Sequence, residues 1–465
     1  MRISTSMIYS LGTTSVQNHV SELYKIQNQM SSGKRITTPS DDPLAAARVL
    51  EISQSKSAAE QYQVNGTAAT SALQSQEATL AQISSVLNDV RALAVQAGDA
   101  SLTKNDKLAV ATELEGKYNY LIGLANTSEN GKYLFSGFRG ETQPFSETSP
   151  GVIAYNGDQG RRLVQVSASR QVPVSNSGVD IFQRIKNGNG DFEVAAATNK
   201  GTGVAAPGSV LNPTLWDAAG NTKDYKVVFA EDTSATPGPS VYTYDIVTTS
   251  ATTINGVAYA AGDSLLKGSS LVAPFPTGSA PTLSATGGPT YPRAYIPGAT
   301  ISFKNVAGDT NPSAWDLGVE FSITGTPSST PTTGTVIAPD TFTLKGSTNS
   351  QDIFATIHNL VGALRTSGGA ALSNTVMNTL ANLTQAEDAV LTATADVGVI
   401  MKEVDSHSGA NEDAVLQYKT TISKLEDVDF AQAATDLALR NTNLEAAQKS
   451  FLTVSGLSLF NYIRP

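Results

Sequence analysis

The chain of 465 residues contains no cysteine, which excludes disulfides, thiol catalysis and zinc–thiolate sites. Charged residues make up only 15% of it, against about 25% in typical soluble domains. With a net charge of -10 and no basic stripe to neutralise phosphates, the chain is predicted to have no nucleic-acid partner. No apolar run approaches the ~18 residues of a membrane span, which predicts no membrane insertion.

Residue types that carry chemistry are scarce or dispersed. The three histidines, His19, His358 and His407, lie far apart and in no metal-binding spacing. Asp41 and Asp42 are adjacent at a predicted helix start, where aspartate usually serves as a cap. Ser101–Lys104 has the S-x-x-K form of a serine acyltransferase but lacks the partner motifs, and Asn187–Asp191 resembles a calcium loop without its closing glutamate. We therefore predict no enzyme activity, no metal and no cofactor.

Both ends of the chain carry apolar residues in a seven-residue repeat, as in coiled coils. Near the carboxyl end, in a helix predicted from about 429 to 462, the repeat consists of Phe430, Leu437, Leu444 and Phe451, with Val454 three places later. Near the amino end it consists of Tyr9, Val16, Leu23 and Met30. The pattern predicts that the two ends pair; the alternative is two core helices of an ordinary globular domain.

Polar residues surround both repeats, and Arg440 interrupts the carboxyl-terminal one, where it needs a partner or water. Helices with such weak apolar faces are often disordered alone and fold when they assemble. We therefore expect about residues 1–35 and 430–465 to be disordered in the free monomer. The apolar tip between 457 and 463 is expected to be covered.

Helix signals also fill the regions next to these ends. Gly33 is predicted to end the first helix, and Asp42 to cap the next one at Pro43. Residues 44–97 read as one rod of ~80 Å. A third helix, opened by a capping box at Thr103 and Asp106, is expected to pack through Leu108, Leu114, Tyr118, Leu121 and Ala125.

Helix is predicted to return at Ser350, capped by Asn349 or Ser350. A further long helix then leads towards the carboxyl-terminal rod, with a weak point at Ser408–Gly409.

Between about residues 140 and 349 the composition shifts to Thr, Ser, Gly and Pro. Short stretches there alternate in hydropathy, for example Val319, Phe321 and Ile323, which predicts strands with one buried face. Asn156–Gly157 and Asn255–Gly256 are predicted hairpin turns, and runs near 233–239, 273–289 and 325–339 are predicted loops.

The predicted fold class is therefore mainly α with a β insertion. Apposed N- and C-terminal long helices form a coiled-coil or helical bundle, with one or two all-β outer domains between them. The predicted parts are an amino-terminal coiled-coil segment 1–40, a rod 41–140, β domains 141–349 with a variable part at about 190–335, a second rod 350–425 and a carboxyl-terminal helix 426–465.

Several motifs resemble the bacterial flagellin superfamily. They are Met1–Thr5, Gln27–Met30, Ser32–Ile36, Pro39–Pro43, Gly131–Gly137, Tyr155–Asp158 and Leu459–Tyr462. Flagellins themselves usually read S-S-G-L-R-I-N-S-A followed by D-D-A in this region, whereas P-S-D-D-P and the L-F-N-Y ending resemble the hook–filament junction branch of the superfamily. The resemblance covers about residues 1–185 and 340–465.

The resemblance implies a structural adaptor between hook and filament. It further implies that the terminal helices pack into the inner tube of the flagellum and that the chain leaves the cell unfolded through the flagellar type III channel, which is compatible with the predicted absence of a cleavable signal peptide. The implied partners are further copies of the chain in a ring, hook-associated protein 1, flagellin and an export chaperone that binds the last helix. Two alternatives stay open: a flagellin filament subunit, and an adhesin or carbohydrate-binding activity in the β insertion.

Overall fold

A computed structural model describes residues 5–232, 241–270, 293–307, 309, 311, 313–328 and 340–456. Within those ranges the helices are α1 Thr5–Ser32, α2 Pro43–Ala97, α3 Lys104–Ala125, α4 Gly178–Phe182, α5 Pro213–Trp216, α6 Ile353–Thr366, α7 Gly369–Glu426 and α8 Phe430–Gly456. Long helices thus lie towards both ends and strands lie in the middle, which confirms the predicted fold class.

The strands are numbered in chain order. The first ten are β1 Ser128–Glu129, β2 Lys132–Tyr133, β3 Phe145–Ser149, β4 Val152–Tyr155, β5 Leu163–Ser167, β6 Arg170–Pro173, β7 Ile185–Lys186, β8 Phe192–Ala196, β9 Val204–Ala205 and β10 Ser209–Val210. The remainder are β11 Asp224–Asp232, β12 Val241–Thr248, β13 Thr252–Ile254, β14 Val257–Tyr259, β15 Asp263–Ser264, β16 Ser269–Ser270, β17 Arg293–Ala294, β18 Thr300–Lys304, β19 Asp316–Thr324, β20 Thr341–Gly346 and β21 Asn349–Gln351.

The chain divides into two compact units. One comprises Met1–Ala69, Val164–Val172 and Lys402–Pro465, and the other comprises Thr70–Leu163 and Pro173–Met401. Helices α2 and α7 contribute residues to both. The five-part division made from the sequence stays a prediction.

The helical part of the second unit is built around the predicted heptad of α2. Leu73, Leu80, Leu87 and Ala94 are all at most 1% exposed. Thr103 and Asp106 form the predicted capping box of α3: the Thr103 hydroxyl accepts from the Asp106 N–H, and the Asp106 carboxylate accepts from the Thr103 N–H. The prediction that Leu108 packs in this core is wrong, because its side chain is 39% exposed.

The helix start predicted at Ser350 is also wrong. Residues 349–351 form β21, which pairs with β7, and Asp352 is the cap of α6, since its carboxylate accepts from the N–H groups of Phe354 and Ala355. Helix α7 continues through the predicted weak point at Ser408–Gly409, and the neighbouring Val404 and Val415 on this helix are buried. Helix α7 ends at Glu426, and Asp429 caps α8, which agrees with the start predicted for the carboxyl-terminal helix at about 429.

Two larger sheets form the outer β region. One has the strand order β16-β15-β12-β11-β20-β8 with β17 beside β12, and the other has the order β10-β19-β18 with β9 beside β19. They share one core, which contains Val227, Ile246 and Leu344 from the first sheet and Ile301 and Phe321 from the second. In β19 the predicted alternation is confirmed, since Val319, Phe321 and Ile323 are at most 2% exposed.

Of the two predicted Asn–Gly hairpins, one is correct. Asn255 (φ 49°) and Gly256 (φ 80°) connect β13 to β14 in the positive-φ conformation of a tight turn. Asn156–Gly157 forms no hairpin. The strand before it, β4, pairs with the preceding strand β3 through a turn at Gly151, and the strand after it, β5, pairs with β6. The predicted loops at 233–239 and 273–289, and most of 325–339, lie outside the described residues.

A buried ion pair joins the two larger sheets. Arg293 lies on β17, and its guanidinium donates to both carboxylate oxygens of Asp309 at 3.0 and 2.7 Å. It also donates to the backbone carbonyls of Ser302 (3.0 Å) and Lys304 (2.6 Å) on β18 of the other sheet. Its carbon Cζ lies 5.7 Å from the ring centroid of Trp315. The Arg293 side chain is 4% exposed and that of Asp309 is 0% exposed, so neither charge has access to water.

Side-chain amides of α7 attach the β region to the helices of the same unit. The Asn374 carbonyl oxygen accepts from the N–H of Ala205 at 2.9 Å, while its amide nitrogen donates to the carbonyl of Gly203 at 2.9 Å. The Asn382 side chain accepts from the N–H of Gly188 at 2.7 Å. The residues that resembled a calcium loop, 187–191, therefore lie against α7.

Candidate assembly surface on the terminal helices

Helices α1 and α8 pair in an antiparallel arrangement. At one end of the pair the rings of Tyr9 and Phe451 meet edge to face, with centroids 5.8 Å apart and an interplanar angle of 87°. Further along, Arg440 donates to the carboxylate of Glu22, so Arg440 has the partner that its position in the apolar repeat requires. The apposition of the chain ends that the sequence predicted is therefore present in the fold.

The predicted repeat residues lie at or near this helix–helix contact, but the pair does not bury them fully. Val16, Leu23, Met30, Leu437, Leu444 and Phe451 are half-buried. Tyr9 is 40% exposed and Phe430 is 57% exposed. Ala433, between repeat positions, is buried, at 6% exposed. The side chain of Val454 and the apolar tip at 457–463 lie outside what the structure describes.

Gly12 on α1 lies directly against the Phe451 ring on α8. A Cβ atom placed on Gly12 would lie 2.4 Å from Cδ2 of Phe451, closer than real Cβ atoms come to any neighbour. Beside this contact runs an open groove lined by Thr13, Val16, Gln17, Gln448, Phe451 and Leu452. The repeat thus forms a contact with one partner while leaving an accessible apolar edge.

Some apolar residues outside the repeat were missed in the sequence. Leu11 and Tyr24 on α1 are each 60% exposed, and Leu439 on α8 is 55% exposed. Their positions do not recur every seven residues, so the heptad pattern gives no signal for them. A helical-wheel comparison of faces would have placed them away from the α1–α8 contact. They enlarge the apolar surface that this pair presents to water.

The aspartates after α1 act as structural connectors. Oδ2 of Asp41 accepts from the N–H groups of Thr37 (3.1 Å) and Thr38 (2.9 Å), and Oδ1 lies 2.8 Å from the ammonium of Lys25 on α1. The hydrogen bond from Lys25, followed by the one from the Thr38 N–H, holds the pKa of Asp41 well below its usual range. Asp42 caps α2 as predicted, since Oδ1 accepts from the Ala45 N–H at 3.0 Å, and that bond lowers its pKa.

In the part of the chain that the structure describes, no three His, Asp or Glu residues are grouped so that they could hold a metal ion. Nor do the described helices include one long and apolar enough to cross a membrane. The histidines are dispersed as the sequence indicates: His19 lies on α1 near Glu22, His358 on α6 beside the Tyr118 ring, and His407 on α7 near Glu403.

Comparison with known families and curated proteins gives consistent matches. Residues 3–139 match the bacterial flagellin N-terminal helical region. Flagellar hook-associated protein 3 of Salmonella typhimurium is 35% identical over 186 residues, and that of Escherichia coli is 36% identical over 186 residues. Each match covers 40% of this chain and 58% of the relative, so the chain aligns with little more than half the length of these curated proteins.

Solved structures extend the match over most of the chain. The flagellar junction protein FlgL of Legionella pneumophila is 26% identical with a TM-score of 0.60, covering 82% of this chain and 100% of that one. FlgL of Xanthomonas campestris is 25% identical with a TM-score of 0.58, covering 80% and 99% respectively. These matches confirm the resemblance to the junction branch of the flagellin superfamily that the motifs indicated.

Proposed function

We propose that this protein, which resembles flagellar hook-associated protein 3 in sequence and fold, is a structural adaptor at the hook–filament junction of the bacterial flagellum. One observation carries the proposal: the sequence similarity to hook-associated protein 3 falls on a chain whose terminal helices pair and leave their apolar repeats half open. Helices with an incompletely buried apolar repeat are completed by further helices packing against them.

In this proposal the adaptor works by packing and not by catalysis. Copies of the chain assemble as a ring between hook-associated protein 1 and flagellin, and the exposed edges of α1 and α8 pack against neighbouring copies. The relatives are named for a place in the flagellum and not for a reaction, which supports a structural role. The chain reaches this place by flagellar type III export, with a chaperone on α8 beforehand.

Disorder of the ends before assembly belongs to the same proposal. The α1–α8 pair leaves Phe430, Leu11 and Tyr24 more than half exposed, so two helices alone bury little apolar surface. Helices in proteins owe most of their stability to tertiary packing of their apolar face, so helices with little buried surface are weakly stabilised. We expect limited proteolysis of the purified monomer to cut first within α1 and α8. Protection of both helices in the monomer would contradict this part of the proposal.

The decisive experiment is a gene deletion in the source bacterium, scored for filaments and for flagellin in the medium. Intact hooks without filaments, with unpolymerised flagellin released, would support a junction adaptor. Loss of the filament subunit itself with no released flagellin would show that the chain is the flagellin. Normal filaments would contradict both functions and direct attention to the β insertion, whose binding to carbohydrates or surfaces would then be screened.

Complementation of that deletion tests the apolar repeats. Leu437→Glu/Leu444→Glu places charges on two half-buried repeat positions of α8, whereas the control Gln432→Glu/Asn441→Glu places them on two exposed positions of the same helix. We expect the control to restore filaments and the repeat variant to fail. A repeat variant found in the medium has lost assembly, and one retained in the cell has lost export or its chaperone. Equal behaviour of the two variants would contradict a special role of the repeat.

A further inference from the structure

The end of α1 and the end of α7 meet through the backbone, although they are far apart in the sequence. The N–H of Arg35 donates to the carbonyl of Glu426 at 2.6 Å, and the N–H of Val428 donates to the carbonyl of Gly33 at 3.0 Å. Lys34 and Asp427 lie opposite each other as an antiparallel bridge. We call residues 33–36 with 425–428 the clip.

Side chains reinforce the clip on both strands. The ammonium of Lys34 lies 2.7 Å from Oε1 of Glu426, and this hydrogen bond raises the pKa of Lys34. Arg35 donates to the carbonyl of Leu425 at 2.8 Å. From α1, the Gln29 amide donates to the carbonyl of Arg35 at 2.6 Å.

The clip lies where the paired helices end and begin. Gly33, with φ +71°, ends α1 in the left-handed conformation that favours glycine. Asp429 caps α8, accepting from the N–H groups of Ala431 (2.9 Å) and Gln432 (3.2 Å). The last turn of α1 and the first turn of α8 are thus fixed relative to each other.

The helix–helix contact itself defines its register weakly. A strict seven-residue repeat on both helices means that sliding one helix by seven residues again places apolar side chains opposite one another. Among the described residues, the contacts that distinguish the observed register include the Glu22–Arg440 pair, the edge-to-face rings of Tyr9 and Phe451, and the Phe451 ring over Gly12. An exposed ion pair contributes only about 0–1 kcal/mol.

We propose that the clip sets the register in which α1 and α8 pair. Its backbone bridge joins the two helices at one end, so α8 leaves the clip with its first repeat position already aligned with the last turn of α1. The proposed role in assembly is not needed for this inference, which concerns the helices of a single chain. In the assembled ring, if the proposed function holds, the same register places the apolar edges of all copies at equal heights.

The absence of cysteine allows a direct test on the full-length chain. Thr13→Cys/Gln448→Cys reports the observed register, because both residues line the same groove. Thr13→Cys/Asn441→Cys reports a slip of one heptad, which is ~10 Å along the helix. A bifunctional thiol reagent shorter than that rise is applied to both, and the ratio of the two cross-linked products is measured. The ratio does not depend on how often the helices are paired.

We expect the observed register to dominate in the parent chain. Arg35→Pro removes the N–H that bonds to Glu426 and should lower the ratio about tenfold, the effect expected for losing a hydrogen bond with its reinforcing contacts. Lys34→Glu should lower it less, and Lys34→Glu/Glu426→Lys should restore it. Lys56→Glu, which alters an ion pair on α2 outside the clip, is the matched control and should leave it unchanged.

Three results would overturn the proposal. The first is a parent chain that gives the two cross-linked products in equal amounts. The second is a set of clip variants whose product ratio stays at the parental value, and the third is a set of clip variants in which both cross-linked products vanish. The last result would mean that the clip holds the helices together and does not select their register. Because the readout is made on purified chain, it is independent of whether the deletion strain lacks filaments.

Discussion

The pair Arg293–Asp309 allows a quantitative prediction about the outer β region. Arg293→Met removes the guanidinium but leaves a carboxylate that is 0% exposed without its ion-pair partner. The carbonyls of Ser302 and Lys304 lose a donor at the same time. Removing one partner of a buried ion pair typically costs about 3–5 kcal/mol, a large fraction of the ~5–15 kcal/mol that stabilises a domain. We expect a loss of ~4 kcal/mol.

Tryptophan fluorescence provides a selective assay. The chain has two tryptophans. Both Trp216 and Trp315 are 1% exposed in the core shared by the two larger sheets. Their emission therefore reports unfolding of the outer β region, while far-ultraviolet circular dichroism is dominated by the long helices. With a slope of ~2 kcal/mol per molar urea, the fluorescence midpoint should fall by about 2 M.

A double variant separates the ion pair from side-chain packing. In Arg293→Met/Asp309→Leu no charge remains buried, and such replacements are often neutral or stabilising. We therefore expect the double variant to recover most of the lost stability. A single variant within about 1 kcal/mol of the parent, or a double variant less stable than the single one, would refute the reasoning, because the cost would then not come from the unpaired Asp309.

Three further predictions follow from other contacts. Gly12→Ala should lower the yield of the Thr13→Cys/Gln448→Cys cross-link because its Cβ meets Phe451. Gly116→Ala on α3, where a Cβ meets nothing within 4 Å, should leave that yield unchanged and stabilise its own helix by about 0.5–1 kcal/mol; equal yields in the two variants would contradict the clash. Burial raises the pKa of Asp352, so folding favours the protonated carboxyl over the ionised one. The stability that protonation of Asp352 contributes is fully present below the unfolded pKa near 3.9 and is lost as pH rises through the folded pKa. In Asp352→Asn, urea unfolding measured between about pH 4 and pH 7 should lack that decline, and an unchanged pH profile would refute the assignment. Asn374→Ala should raise hydrogen exchange at the Ala205 N–H, whose acceptor it removes, and Asn378→Ala, on a helix position with no described bond to the β region, is the control.

The structural features that follow from sequence periodicity were predicted correctly. The buried heptad of α2 was correct because a helix that shows one face to a core must repeat its apolar residues with the helical period. Local capping was also correct at Thr103, Asp42 and Gly33, since each cap depends on side chains within a few residues of it. The pairing of the chain ends followed from the shared repeat, although the repeat could not show that Phe430 stays mostly exposed.

Boundaries that depend on distant residues were predicted wrongly. Asn349 and Ser350 resemble helix caps, but β7 pairs with this segment and makes it a strand. At Gly409 the sequence indicated only a weak point, and α7 continues through it because buried neighbours offset a glycine cost of about 1 kcal/mol. Asn156–Gly157 resembles a hairpin turn, yet the strands on either side of it pair with other strands, β4 with β3 and β5 with β6.

The sequence by itself determined the class of fold, the order of helical and β regions, the apolar repeats at both ends and the resemblance to flagellar junction proteins. All of these depend on local composition and period. Tertiary structure alone decided that Arg293 and Asp309 meet between two sheets, that Asn374 binds the backbone of β9, and that residues 33–36 lie against 425–428. These contacts join segments separated by many residues, and because no local pattern encodes which polar groups become neighbours, only the folded chain brings them together.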